Sequence, residues 1–213
     1  MGMLILISNA DGIYSPGIAA LAIAAAHSGE VRIVAPDVEE SSMGHAITHS
    51  RSPLRYRRTP IAGFQPYQGN ETPADCVALS AHHWERVDLG LNLGNSCWHS
   101  GTLAAAKQAA LLGLRGIAFS MPVGDAEPDF AALKPWLEHV IRLLLKKKTL
   151  TLVNFPHKPR GIRWSPQSVR HYDGKSSLPK TRRSVRFSGS PSCRCTKRKK
   201  AQIPGLSCTI TVS

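Results

Sequence analysis

Side chains that could bind a metal ion are concentrated in three polar stretches of the first half of the sequence. The stretches carry Asn9 and Asp11, then Asp37, Ser41 and Ser42, then Asn92 and Asn95. Carboxylate, hydroxyl and amide oxygens are hard ligands, which suit Mg²⁺, Mn²⁺ or Ca²⁺ better than zinc. If the fold brings the three stretches together, they could form a divalent-cation site.

The third stretch runs into a predicted helix start at Ser100-Gly101-Thr102. A helix N-terminus presents unpaired N–H groups, and two hydroxyls beside it favour an anion such as phosphate. A cation next to phosphate suggests phosphoester hydrolysis, because the cation polarises a phosphoryl oxygen and lowers the pKa of an attacking water. Taken singly, each stretch is also explained by turn or capping chemistry, and only their combination at one sheet edge favours a site.

Alternating strands and helices would position these stretches. The predicted strands are residues 3–7, 31–35, 87–91, 117–120 and 150–154, and the predicted helices are 18–27, 73–81, 101–112 and 129–148. This alternation indicates an α/β fold with a mainly parallel sheet and right-handed crossovers. In such sheets ligands bind at the carboxyl ends of the strands, where the three polar stretches lie. A short extended pair within residues 51–67 and a last edge strand over residues 208–212 complete the prediction.

Composition limits the class of protein. The 213 residues, 42% of them hydrophobic, suffice for one α/β domain over residues 1–155, with a basic extension over residues 156–213 that could form an oligomerisation hairpin. No apolar run reaches the roughly 18 residues that span a bilayer. Asp11 and the lack of a preceding basic residue argue against a signal peptide before the Ala-rich helix, so we expect a cytoplasmic protein. The five cysteines form no C-x-x-C pair, which favours reduced thiols.

The positive charge is confined to the extension. Residues 1–150 hold 13 basic and 13 acidic residues, so the net charge of +13 comes entirely from residues 151–213. Non-specific binding of nucleic acid through this tail is one interpretation. A solvated tail is the favoured one, because no aromatic interleaving or known module accompanies the charge. Nucleotide-binding loops of the G-x-x-x-x-G-K-[ST] and G-x-G-x-x-G types are absent from the sequence.

Several motifs, in order, resemble those of SurE-type survival proteins, a family of 5′/3′-nucleotidases. The matching segments are Ser8-Asn9-Ala10-Asp11-Gly12, Ala35-Pro36-Asp37 with Ser41, Thr72-Pro73-Ala74-Asp75-Cys76-Val77, Gly90-Leu91-Asn92, Trp98-His99-Ser100-Gly101-Thr102, and residues 167–174. Together they extend over about residues 3–175, some four-fifths of the chain.

The resemblance implies a Rossmann-like three-layer fold and a homodimer or homotetramer joined through the C-terminal extension. From the lack of a membrane-spanning apolar run we expect no membrane partner. The resemblance also implies a metal-dependent hydrolase of nucleoside monophosphates, with Mg²⁺ or Mn²⁺ as the cation. By motif position the metal ligands would be Asp11, Ser41 and Asn92, with Asp11 and Asn92 as the catalytic pair. The phosphate side would comprise Asn9, Asn95, Ser100, Gly101 and Thr102.

The sequence departs from this family in two places. The opening motif of the family reads Ser-Asn-Asp-Asp-Gly, and Ala10 replaces the first Asp, an expected metal ligand. One lost carboxylate predicts weaker cation binding, and a phosphate- or nucleotide-binding relative without turnover is the alternative function. The stretch after Lys175 is basic where the family is usually acidic and contains Trp, which puts the oligomer-forming hairpin in question.

Overall fold

A computed structural model describes most of the chain. The described residues are 3–48, 53–83, 89–93, 100–122, 127–147, 150–165, 176–177, 186–187 and 206–212. For His83, for residues 89–93 and for the segments after Ser165, only the backbone is described.

Helices and strands alternate through the described chain. The strands are β1 Leu4–Asn9, β2 Glu30–Pro36, β3 Tyr56–Arg58, β4 Tyr67–Gly69, β5 Leu89–Leu93, β6 Arg115–Ser120, β7 Leu150–Asn154, β8 Ile162–Ser165, β9 Ser176–Ser177, β10 Arg186–Phe187 and β11 Leu206–Val212. The helices are α1 Pro16–Ala25, α2 Pro73–His83, α3 Gly101–Leu111 and α4 Phe130–Leu144.

One nine-stranded sheet has the order β3-β4-β2-β1-β5-β6-β7-β11-β8. All neighbouring pairs are parallel except β3–β4 and β11–β8, which lie at the two edges. The chain moves outward from β1 to β2 in one direction and continues from β5 to β7 in the other. The strand order therefore reverses between β1 and β5, and the carboxyl ends of these two strands form the crevice where ligands bind in open α/β sheets.

Helices cover both faces of the sheet, as the period-2 alternation along β1 requires. Ile5 and Ile7 belong to the apolar cluster that includes α1 and α4, whereas Leu4 and Leu6 belong to the cluster that includes α2 and α3. Buried residues on both faces explain why β1 is apolar along most of its length. The three-layer α/β architecture expected from the sequence is confirmed.

Two parts of the sequence prediction differ from the structure. The described strand β5 extends two residues beyond the predicted end at Leu91, so Asn92 lies inside the strand and pairs with Ser8 of β1. The last strand, β11, was expected at an edge but lies between β7 and β8. Its sheet position requires a second partner strand, β8, which no pattern in the basic extension had indicated.

The backbone divides into two compact units, residues 1–165 with 205–213, and residues 166–204. In the second unit the described residues form an antiparallel pair, β9 with β10. None of the helices in the described segments is both long enough and apolar enough to cross a membrane.

Candidate functional site at the carboxyl edge of the sheet

The turn after β1 is fixed by the side chain of Asn9. Its Nδ2 donates to the carbonyl oxygen of Gly12 at 2.9 Å and to Oγ of Ser15 at 2.6 Å. Gly12 has φ +89°, a backbone conformation that other residues rarely adopt, and a Cβ there would lie 3.1 Å from the carbonyl carbon of Val38. Both the backbone conformation and the lack of space therefore favour glycine at this position. Because both N–H groups of Asn9 are used within the turn, its Oδ1 is the atom left for a further partner.

Four segments meet around Ala10. The amide of Glu40 donates to the carbonyl oxygen of Ala10 at 2.7 Å, which joins the loops after β1 and β2. A Cβ placed on Gly101 would lie 2.9 Å from Cβ of Ala10 and 3.0 Å from Cγ of Pro73. The start of α3 therefore packs against the turn after β1, and Pro73 at the start of α2 lies beside Gly101.

The start of α3 offers hydrogen-bond donors to an anion. Ser100 is the N-cap, and its Oγ accepts from the amide of Leu103 at 3.2 Å, so the hydroxyl hydrogen stays available. The first amides of a helix have no partner within the helix. Thr102 is 1% exposed, and its Oγ1 has no hydrogen-bond partner among the residues that the structure describes.

A second buried oxygen atom, Oδ1 of Asn9 at the end of β1, has no hydrogen-bond partner among the described residues. Oγ of Ser8 is equally buried, but it lies beside the Cys76 thiol, with which it can hydrogen-bond. Buried polar atoms are almost always hydrogen-bonded in folded proteins, to the protein or to ordered water. Unsatisfied acceptors and hydroxyls at a sheet edge are consistent with a site that is completed by water or a ligand.

The predicted metal-ligand residues are placed as follows. Asp11 and Ser41 are exposed, in the turn after β1 and in the loop after β2. Partial desolvation, followed by the charge of Glu39, raises the pKa of Asp11 above its ordinary value. The backbone of Asn92 lies opposite Ser8 in β5, and Asn95 lies outside the described residues.

These residues fit a hard divalent cation. Their donors are carboxylate, hydroxyl and amide oxygens, the set such cations prefer, and Oδ1 of Asn9 and Oγ1 of Thr102 have no partner within the described part of the chain. Position 10 contributes a buried methyl group instead of a carboxylate. Within the described segments no three His, Cys, Asp or Glu residues form a cluster that could hold a metal ion. Of the three predicted ligands, Asp11, Ser41 and Asn92, only Asp11 carries a carboxylate.

Sequence reasoning missed a second feature, the polar cluster at the start of α2. Asp75 accepts hydrogen bonds from both Thr72 and Thr48. The Thr72-x-x-Asp75 spacing signals a helix cap, but nothing in the spacing indicates the contact with Thr48.

Glu71 precedes this cap and has an unusual environment. The residue is 1% exposed, and neither carboxyl oxygen has a hydrogen-bond partner in another described residue. Burial, followed by the nearby charges of Asp75 and Asp37, raises the pKa of Glu71 to about 7. Glu71 therefore retains its proton in the folded protein at pH values where an exposed glutamate is ionised.

The fold and this edge define a class, namely three-layer α/β proteins with a hydroxyl- and carboxylate-containing site at the strand-order reversal. Comparison with known proteins identifies the family. The family described as "Survival protein SurE" matches residues 5–174. The chain belongs to the SurE family.

Individual relatives agree with this assignment. The chain is 45% identical over 175 residues to "5′-nucleotidase SurE 1" of Thermus thermophilus, an alignment that covers 75% of this chain and 69% of the relative. It is 43% identical over 175 residues to "5′-nucleotidase SurE" of Deinococcus radiodurans, covering 75% and 65%. The crystal structure of the SurE protein from Aquifex aeolicus superposes with a TM-score of 0.72 at 26% identity, covering 98% of this chain and 92% of that one. The two sequence alignments thus span about two thirds of each relative's length.

Proposed function

We propose that this protein is a metal-dependent phosphomonoesterase that hydrolyses nucleoside 5′- or 3′-monophosphates to nucleoside and phosphate. The observation that carries the proposal is the contact between the turn after β1 and the start of α3, at Ala10 and Gly101. This contact brings the Asp11 turn next to the helix start that suits phosphate. Relatives named 5′-nucleotidases support the choice of substrate.

The phosphate would bind at the start of α3. The oxygen of the Ser100 hydroxyl accepts a hydrogen bond from the Leu103 amide, which leaves the hydroxyl hydrogen available for the phosphate. Oγ1 of Thr102 has no hydrogen-bond partner among the described residues, so it is available as well. The absence of a side chain on Gly101 allows the helix start to approach the turn. Asn95 would act on the same side, and Asn9 would hold the turn in shape while its Oδ1, which has no partner among the described residues, would accept a further hydrogen bond.

Asp11, Ser41 and Asn92 would hold the cation, with Asp11 and Asn92 nearest the chemistry. When bound, the cation would polarise the phosphoryl oxygen and lower the pKa of the attacking water. The protein's own contribution is to fix the phosphate in line with that water by means of donors that are oriented before the substrate arrives.

We further propose Mn²⁺ or Mg²⁺ as the cation, since the ligands are all oxygen atoms. A homodimer or homotetramer and a cytoplasmic location remain predictions from the sequence and the resemblance. Nucleic-acid binding by the basic extension is not favoured.

Phosphate release from AMP and GMP tests the proposal. The full chain is assayed at millimolar Mn²⁺ or Mg²⁺ and again with EDTA, alongside Asp11→Asn and the control Glu30→Gln. Glu30 is exposed at the opposite edge of the sheet, where β2 begins. We expect cation-dependent release by the wild type and Glu30→Gln, and a loss of at least about 100-fold in Asp11→Asn.

The alternative function gives a different result. Folded wild-type protein that binds AMP by calorimetry but releases no phosphate at millimolar Mn²⁺ would replace the hydrolase with a nucleotide-binding protein.

A further inference from the structure

The loop after β2 is held at both ends. It extends over residues 37–48 without a helix or strand. Near its start, the amide of Glu40 donates to the carbonyl oxygen of Ala10 at 2.7 Å. Its far end, residues 46–48, hydrogen-bonds to the start of α2. Ser41 lies between these two attachments, one residue after the first.

Asp75 makes the attachment at the far end. Its Oδ1 and Oδ2 lie 3.0 and 3.1 Å from the amide nitrogen of Thr48, and its Oδ2 lies 2.6 Å from the hydroxyl oxygen of Thr48. The Thr72 hydroxyl lies 2.8 Å from the carbonyl oxygen of Ala46 and 2.9 Å from Oδ2 of Asp75, and its single hydrogen can be donated to one of them at a time. Hydrogen bonds to a carboxylate are stronger than those between neutral groups.

Capping of α2 does not require the contact with Thr48. The cap is reciprocal, because the amide of Thr72 donates to Asp75 at 3.2 Å and the amide of Asp75 donates to the Thr72 hydroxyl at 3.2 Å. These two bonds are complete within residues 72–75. The bonds from Thr48 are additional, and they join a buried carboxylate, 4% exposed, to a residue 27 positions earlier.

The backbone between the two attachments is bent at defined positions. Ser42 has φ 69° and Gly44 has φ 62°, both in the left-handed region. A non-glycine residue such as Ser42 adopts this conformation at a cost in free energy, so the surrounding structure must hold it. The attachments at Glu40 and Thr48 contribute to such a constraint, together with a hydrogen bond of 2.9 Å between Nε2 of His45 and Oε1 of Gln108 in α3.

We propose that Asp75 is a positioning residue, which through Thr48 holds the loop of residues 40–48 so that Ser41 stays at the sheet edge beside the Asp11 turn. This inference rests on the proposed function, because it assigns Ser41 to the cation site. The inference predicts that loss of the hydrogen bond between the Thr48 hydroxyl and Asp75 weakens cation binding, although Thr48 is not a cation ligand.

Thr48→Val tests this inference because it removes the hydrogen bond from the Thr48 hydroxyl to Asp75, the shortest of the three contacts between these residues, and leaves the α2 cap complete. Thr48→Ser restores the hydroxyl. The matched control is Thr59→Val, which also removes a hydroxyl next to a polar side chain, since Oγ1 of Thr59 lies 3.0 Å from the side-chain amide of Gln68, but in the β3–β4 hairpin.

Three measurements are made on each full-length protein. They are amide hydrogen exchange of residues 40–48, the Kd of Mn²⁺ by calorimetry, and kcat and KM for AMP at saturating and subsaturating Mn²⁺. In Thr48→Val we expect faster exchange and an Mn²⁺ Kd about tenfold higher, in line with the loss of one hydrogen bond to a charged group. Saturating Mn²⁺ should restore most of kcat, and Thr48→Ser and Thr59→Val should bind Mn²⁺ like the wild type.

The outcomes separate this inference from the proposed function. Faster exchange in Thr48→Val with an unchanged Mn²⁺ Kd would overturn the inference, since the contact would then be structural only. Unchanged exchange would overturn it as well. A wild type that binds Mn²⁺ but releases no phosphate would refute the proposed hydrolase, while a weaker Kd in Thr48→Val would still support the positioning role.

Discussion

Ala10 and Gly101 are packed so closely that a side chain on Gly101 has no room. A Cβ on Gly101 would lie 2.9 Å from Cβ of Ala10, and real Cβ atoms essentially never approach another atom that closely. The same Cβ would lie 3.3 Å from the carbonyl oxygen of Glu40. The start of α3 therefore meets the loops after β1 and β2 at a single point.

Gly101→Ala should destabilise the protein and reduce phosphate binding. The added methyl forces the start of α3 away from the turn, at a cost of about 1–3 kcal/mol for overpacking. Urea unfolding of Gly101→Ala, Ala10→Gly and the double variant forms a mutant cycle. Gly101→Ala should cost less in the Ala10→Gly background, because one of the two nearest side-chain contacts is gone. Equal costs in both backgrounds would show that the Ala10 contact does not limit the packing.

Thr102→Val should separate ligand binding from stability. Without a bound anion the hydroxyl of Thr102 is buried and has no partner among the described residues, so its replacement by an isosteric methyl should leave the free energy of unfolding unchanged or raise it. Inhibition by inorganic phosphate should weaken by about tenfold if the hydroxyl donates to the anion. Thr102→Ser keeps the hydroxyl and should bind phosphate like the wild type. A Thr102→Val protein that keeps its phosphate affinity would remove Thr102 from the site.

Glu71 should make stability depend on pH. Burial and the charges of Asp75 and Asp37 raise the pKa of Glu71 from 4.5 to about 7. Between these values the folded protein binds more protons than the unfolded chain, so the free energy of unfolding falls as pH rises from about 4.5 to about 7.

The loss attributable to Glu71 is roughly 2–3 kcal/mol, and Glu71→Gln should remove it. Urea unfolding at pH 5 and pH 8 measures the difference. Glu127→Gln, at an exposed position, is the control and should keep the wild-type pH dependence. The prediction fails if Glu71→Gln and the wild type lose equal stability between the two pH values.

Local sequence patterns predicted the elements near the site but not the contacts between them. The apolar run of β1 and the Ser100 cap of α3 are local signals, and both elements formed nearly where they were expected. The contact of Asp75 with Thr48 joins residues 27 apart, and no spacing rule encodes it. Likewise Glu71 looks like an ordinary surface residue until the fold buries it against Gly69.

The position of β11 was missed for a related reason. Its apolar alternation indicated a strand, but a strand lies inside a sheet only if other strands pair with both of its sides. β8 is the second partner of β11, and its sequence, Ile162–Ser165, is too short and too polar to be predicted alone.

Removal of residues 206–213 should therefore destabilise the first compact unit. β11 pairs with β7 on one side and β8 on the other, so the deletion leaves β7 paired only with β6, with its other side exposed as a sheet edge, and leaves β8 without its partner. We expect the Tm to fall by at least about 10 °C, and aggregation through the exposed edge. Lys199→Gln combined with Lys200→Gln changes only the basic segment in the other unit and should leave the Tm unchanged. An unchanged Tm after the deletion would contradict the interior position of β11.

Ala10→Asp should strengthen cation binding by restoring a carboxylate at the family's position. In the absence of metal the variant should be less stable than the wild type, because residue 10 is 3% exposed and the new charge lies next to Asp11. A cation bound between the two carboxylates reverses this effect, since a ligand that binds only the folded state stabilises it by mass action.

The increase of Tm between EDTA and millimolar Mn²⁺ should therefore be larger in Ala10→Asp than in the wild type, and phosphate release from AMP should rise with it. Ala10→Asn has the same shape without the charge and separates crowding against Gly101 from electrostatics. If Ala10→Asp and Ala10→Asn gain equally little from Mn²⁺, the cation does not bind at this turn, and the placement of Asp11 as its carboxylate ligand is wrong.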